Sequence, residues 1–102
     1  MADKLGICVS RSDCLLHVVG LARAAVAYGK KVSVFFTGEG VFLTKDPLFP
    51  EVLKNSRVGV CEVSYNANGF KGEEVPGLDY KDFVTQAFNA EMVTECDRYI
   101  ML

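Results

Sequence analysis

The chain has 102 residues, 11 Lys+Arg against 13 Asp+Glu, a net charge of −2 and a sequence pI near 5.3. One domain spanning 1–102 is expected at this length, with enough chain to bury a core without staples. No basic cluster exceeds Lys30-Lys31, which argues against direct nucleic-acid binding, and the apolar stretch Leu15 to Tyr28 is broken by His17 and Arg23 and is too short for the ~20 residues of a membrane span.

Met1-Ala2-Asp3-Lys4 leads straight toward a strand and lacks the pattern of a signal peptide, so a soluble cytoplasmic protein is expected. The four cysteines, Cys8, Cys14, Cys61 and Cys96, form no C-x-x-C pair. With a single histidine, His17, they match no zinc spacing, so reduced thiols and neither metal nor cofactor are expected.

The apolar run within 4–10 reads as a buried strand. Ser12 is a good N-cap for a helix over 13–28, and Asp13 suits its positive end. That helix is apolar around most of its circumference, which calls for burial in its own domain or against another subunit. Gly29 is a C-cap candidate, and Lys30-Lys31 suits the negative end. A second strand is expected over 31–37, then a tight turn at Thr37-Gly38-Glu39-Gly40 and a short helical piece from Val41. A helix over 50–55 follows, with Pro50 in its first turn.

The β-branched run from Val58 to Val63 reads as the third strand, with Cys61 near its end. Asn66, Asn68 and Gly69 then suit a loop with positive φ. Residues 70–78 are loop. Asp79, with Asp82 three residues on, is expected to cap a last helix over 80–94, and a final strand is expected over 98–102.

The order β-α-β-(α)-β-α-β implies an α/β fold with a mainly parallel sheet of four to five strands and helices on both faces, a three-layer α/β/α, flavodoxin-like architecture. Ligands in such sheets bind beyond the carboxyl ends of the strands. The loops there supply the candidate pocket: Ser10 and Ser12 after the first strand, Thr37, Gly38, Glu39 and Gly40 after the second, and Ser64, Asn66, Asn68 and Gly69 after the third. Cys61 and Cys14 belong to that edge, Cys96 to the opposite one, and Cys8 is mid-strand. Thr37-Gly38-Glu39-Gly40 matches neither phosphate-binding fingerprint. His17 alone offers no catalytic geometry. Two thiols therefore remain. Cys14 could use the free N–H groups of a helix start, against the adjacent Asp13. Cys61 has no Lys or His beside it in sequence.

Val60-Cys61 at the end of the third strand, Gly69 several residues on, Cys96-Asp97-Arg98 opening the last strand, and Phe35-Phe36-Thr37-Gly38-Glu39-Gly40-Val41 together resemble the DsrE/TusD (DsrE/F) family of small sulfur-relay proteins. The resemblance covers essentially the whole chain. It implies an α/β/α fold, a homo-oligomer (trimer or hexamer), and sulfane sulfur carried as a persulfide on Cys61 between donor and acceptor proteins, in sulfur transfer or intracellular sulfur oxidation. Members often place Arg before the loop glycine, where this chain has Asn68. Cys14 stays as the secondary thiol candidate. The alternative function is a non-catalytic oligomeric subunit, or a small-ligand or partner-binding module, of the same fold.

Overall fold

The three central strands of this protein are short and apolar on both faces, as strands covered by helices on both sides must be. The computed structural model describes residues 4–102. β1 (Lys4–Val9), β2 (Lys31–Phe36), β3 (Arg57–Cys61), β4 (Phe83–Val84) and β5 (Arg98–Met101) form one sheet in the order β4-β3-β2-β1-β5, and every pairing is parallel. In flavodoxin-type sheets β1 lies between β2 and β3; here it lies between β2 and β5.

Right-handed crossovers explain the layers. From β1 to β4 the chain steps across the sheet in one direction, so α1 (Leu15–Ala27) and α2 (Phe49–Asn55) cover the same face. From β4 to β5 it steps back past three strands, so α4 (Ala87–Glu95) covers the other face. Strand alternation then sorts the side chains. Ile7, Val9, Val34, Phe36, Val58 and Val60 pack beneath α1 and α2. Cys8, Phe35 and Cys61 pack with Phe88 and Met92 of α4.

α4 sits close because two glycines interrupt the strands beneath it. A Cβ on Gly59 would lie 2.9 Å from the Phe88 ring, and one on Gly6 would lie 3.1 Å from Cys96 Sγ. The Phe88 ring fills the space over Gly59 and stacks on Phe35, with centroids 5.6 Å apart. Gly59→Ala is expected to cost about 1–3 kcal/mol in denaturant unfolding, because Phe88 must leave its position; an unchanged midpoint would contradict this packing.

Several expected boundaries are corrected; the first two strands end one residue early, at Val9 and Phe36, the first helix ends at Ala27, and α2 begins at Phe49. The first helix starts at Leu15, not at 13, and Cys14 rather than Ser12 stands at its N-cap, without a side-chain capping bond. Asp13 is instead held by a forked pair with Arg11, at 3.0 and 2.8 Å, which closes the turn before the helix. At the other end Gly29 does adopt a positive φ of 78° and donates its N–H to the Val26 carbonyl. The buried side of α1 is Leu15, Val18, Val19, Ala22 and Ala25, while Leu16 and Val26 stay exposed.

The third strand ends at Cys61, not at Val63. Its neighbours run out: Phe36 of β2 pairs with Val60, and the two residues of β4 pair with Val60 and Cys61. The chain therefore turns at once into a helical turn, α3 (Glu62–Tyr65), extended by a π-type turn over Asn66–Phe70 that kinks at Gly69, φ 91°. The segment 64–70, expected as loop, is helical. The last helix starts at Ala87, not at 80. Asp79 and Asp82 do form the reciprocal capping box, but around one 3-10 turn, Tyr80–Asp82. Phe83 and Val84, which fitted a helical stripe, instead form the short strand β4, because β3 offers a free edge there. The last strand stops at Met101. Among the described residues no helix is long and apolar enough to cross a membrane.

Candidate thiol site

Cys61 is the last residue of β3 and is 4% exposed. The immediate turn into α3 decides its surroundings. Ser64 lies three residues on, one helical turn later, so its hydroxyl and its backbone N–H come back toward the sulfur. Had the strand continued to Val63, Ser64 would have pointed away. Thr37 arrives from the end of β2, where its N–H donates to the Val9 carbonyl at 2.9 Å. Gln86, at the N-cap of α4, reaches the sulfur from the layer that covers this face of the sheet. Its amide nitrogen donates to Cys61 Sγ at 3.7 Å and to Thr37 Oγ1 at 3.2 Å.

These groups are tied to one another. The Thr37 and Ser64 hydroxyl oxygens are 3.3 Å apart, and the Gly38 N–H donates to Ser64 Oγ at 2.9 Å. Asn68 braces the outer side, donating its amide to the Ser64 carbonyl at 2.7 Å and to the Gly38 carbonyl at 3.3 Å. Gly38 has φ 53°, a left-handed conformation that favours glycine and lets its N–H turn toward Ser64.

The consequence for the thiol is a contest of two effects. Burial, the larger single influence, pushes the Cys61 thiol up. The Ser64 hydroxyl and N–H, the Thr37 hydroxyl and the Gln86 amide all favour the thiolate, and together they bring it below the ordinary thiol value. No Lys, Arg or His takes part. The other three cysteines go the opposite way. Burial raises Cys8, only partly offset by Tyr99. Burial and then the Asp13 carboxylate raise Cys14. Burial raises Cys96. Of the four thiols, Cys61 is therefore the one whose surroundings favour the thiolate, the form that acts as a nucleophile.

The expected pocket is brought together in part. Thr37, Gly38, Ser64 and Asn68 converge near Cys61. Cys14 does not: it packs on the α1/α2 side of the sheet, and its Sγ donates to the Arg11 carbonyl at 3.8 Å. Ser10 gives its hydroxyl to the Leu102 carbonyl, Ser12 and Glu39 are exposed, and Gly69 serves the kink of the π-type turn. Gly40 is buried for a structural reason, since a Cβ there would run into the Val9 carbonyl oxygen. His17 is exposed on α1.

Asn66 lies in a groove of about 770 Å³ whose walls include Glu62, Glu73, Glu74, Asp79 and Tyr80 and do not include Cys61. Tyr65 and Phe83, also in that wall, pack with the α1/α2 layer, whereas Cys61 packs with α4. The groove and the thiol are separate features, and the chemistry points to the thiol.

Gln86 is the participant that the sequence concealed. Thr85-Gln86-Ala87 does carry a helix-start signal, for Thr85 Oγ1 accepts the Ala87 N–H at 3.2 Å. The stronger Asp79-x-x-Asp82 pattern upstream masks it. No protein-family model matches the chain, and no curated protein matches it closely, so the argument for function rests on the geometry around Cys61.

Proposed function

We propose that this protein is a sulfur-relay protein that carries sulfane sulfur as a persulfide on Cys61, as the DsrE/F resemblance implies. The observation that supports this is the buried Cys61 sulfur at the carboxyl end of β3, ringed by hydroxyl and amide donors directed at it. The Cys61 thiolate attacks the outer sulfur of a donor persulfide, R–S–SH. A sulfur–sulfur bond forms at Cys61, the donor's sulfur–sulfur bond breaks, and the departing thiolate takes up the proton. No net oxidation occurs, and the reverse steps hand the sulfur to an acceptor thiol. The same donors suit the outgoing persulfide anion.

The unpaired state of all four cysteines fits a reducing compartment, and we place the protein in the cytoplasm. We also assign it a homo-oligomeric state, trimer or hexamer. Exposed Leu16, Tyr28 and Met101 support this, as does β5, which pairs on one side only. Light scattering at micromolar concentration is expected to give a mass of at least three chains; a monomer would refute it.

The test of function is incubation with a low-molecular-weight persulfide, followed by peptide mass spectrometry. A one-sulfur mass increase on the peptide carrying Cys61, and on no other cysteine peptide, is expected. The groove of about 770 Å³ favours a second reading, a ligand-binding module without sulfur chemistry. Absence of sulfur loading on all four cysteines would select it.

A further inference from the structure

The Cys61 sulfur is approached from three elements: Thr37 follows β2, Ser64 is in α3, and Gln86 precedes α4. Below it lie Phe35 and Phe88, with Val84 alongside, and the other titratable members of that cluster, Cys8, Cys96 and Tyr99, are each pushed up by burial and stay protonated. The side chains that donate to the sulfur, Ser64, Thr37 and Gln86, are all neutral, while the carboxylates nearest in the chain, Glu39 and Glu62, are exposed. Ser64 Oγ already accepts the Gly38 N–H, so its own proton is free to be donated toward Thr37 or the sulfur. Thr37 Oγ1 already accepts from Gln86, so its proton is likewise turned toward Ser64 or the sulfur. Gln86 has two N–H groups on one nitrogen, and that nitrogen reaches both Sγ and Thr37 Oγ1.

We propose that Gln86 tunes the ionisation of Cys61 beside the Ser64 and Thr37 donors, its amide N–H standing where a cation would otherwise stabilise the thiolate. This rests on the reading of Cys61 as the sulfur-bearing thiol. Gln86 acts twice: it donates directly to the sulfur, and by occupying Thr37 Oγ1 it orients the hydroxyl protons. A flipped amide would present its carbonyl to the sulfur and would suit the protonated thiol, so the same side chain favours one charge state in each orientation. A neutral donor also leaves the site without a fixed positive charge. It therefore discriminates less against a neutral persulfide donor than a cation would.

The test is the pH dependence of Cys61 alkylation by iodoacetamide in the full chain, read on the Cys61 peptide by mass spectrometry. Gln86 is exposed, so its replacement should leave the fold intact, with thermal melting as the check. Gln86→Leu removes the donor and should move the midpoint up, slowing alkylation at neutral pH by roughly three- to tenfold. Gln86→Glu adds a carboxylate beside the thiolate and should move it further up. Gln86→Lys supplies a cation and should move it below that of the parent. The Gln-to-Leu step reads the donor itself, and an unchanged midpoint in Gln86→Leu would overturn the proposal; the Lys and Glu steps, opposite in sign, check that position 86 faces the sulfur. Gln86→Asn, one methylene short, should fall between Gln and Leu. Equal midpoints across the series, or shifts of one sign for Leu, Glu and Lys alike, would overturn the proposal. Sulfur loading of the parent is measured separately. The ordered series without loading would leave the role of Gln86 standing and remove the carrier reading; loading with a flat series would do the reverse.

Discussion

Cys61→Ser is expected to abolish persulfide loading entirely while leaving the fold, the melting temperature and the oligomeric state of the parent. The loss is complete because the serine oxygen cannot form the sulfur–sulfur bond on which the relay depends. The fold survives because the site was already built for a small polar atom. A serine hydroxyl at position 61 would meet the Ser64, Thr37 and Gln86 groups that surround the sulfur now. A buried hydroxyl with partners costs little, so the stability change is expected to stay within about 1 kcal/mol. Cys14→Ser, Cys96→Ser and Cys8→Ser are expected to load as the parent does, because burial holds each of those thiols protonated. Loading that persists in Cys61→Ser and disappears in Cys14→Ser would move the site to the first turn of α1.

The second large effect is on stability. Phe36→Ala is expected to cost about 3–5 kcal/mol. The Phe36 ring is fully buried between the sheet and α2, packed edge-on against Phe49 with centroids 5.4 Å apart. A domain of this size has only about 5–15 kcal/mol in total, so the variant should melt more than about 10 °C below the parent. The damage also reaches function, for the next residue, Thr37, carries a hydroxyl that faces Cys61. A variant that melts within about 2 °C of the parent would contradict the placement of Phe36 in the core. Tyr28→Ala provides the contrast. Tyr28 is 83% exposed, and its loss should change the stability of the isolated chain little.

What the residues alone determined about this protein was the alternation of elements and hence the parallel sheet. Leu5, Ile7 and Val9, then Val32 and Val34, then Val58 and Val60 each form short apolar runs separated by chain long enough for a crossover, and local pattern is sufficient for that inference. The same order placed Cys61 and Thr37 at the carboxyl edge of the sheet. Gly29 as the helix stop and Asp79-Asp82 as a capping box were legible because each is a local hydrogen-bond device.

The tertiary structure decided where elements stop and which of the edge residues meet. Val63 has the side chain of a strand residue, yet β3 ends two residues earlier because no neighbouring strand extends to pair with it. Phe83 and Val84 fit a helical stripe, yet they become a strand because the free edge of β3 satisfies their backbone groups. The path into α3 brings Ser64 onto the sulfur, and the crossover to the far face brings Gln86. Residues 37, 61, 64 and 86 share no sequence spacing. Their convergence follows from strand pairing and from the side on which each helix crosses, which are long-range choices that no local pattern encodes.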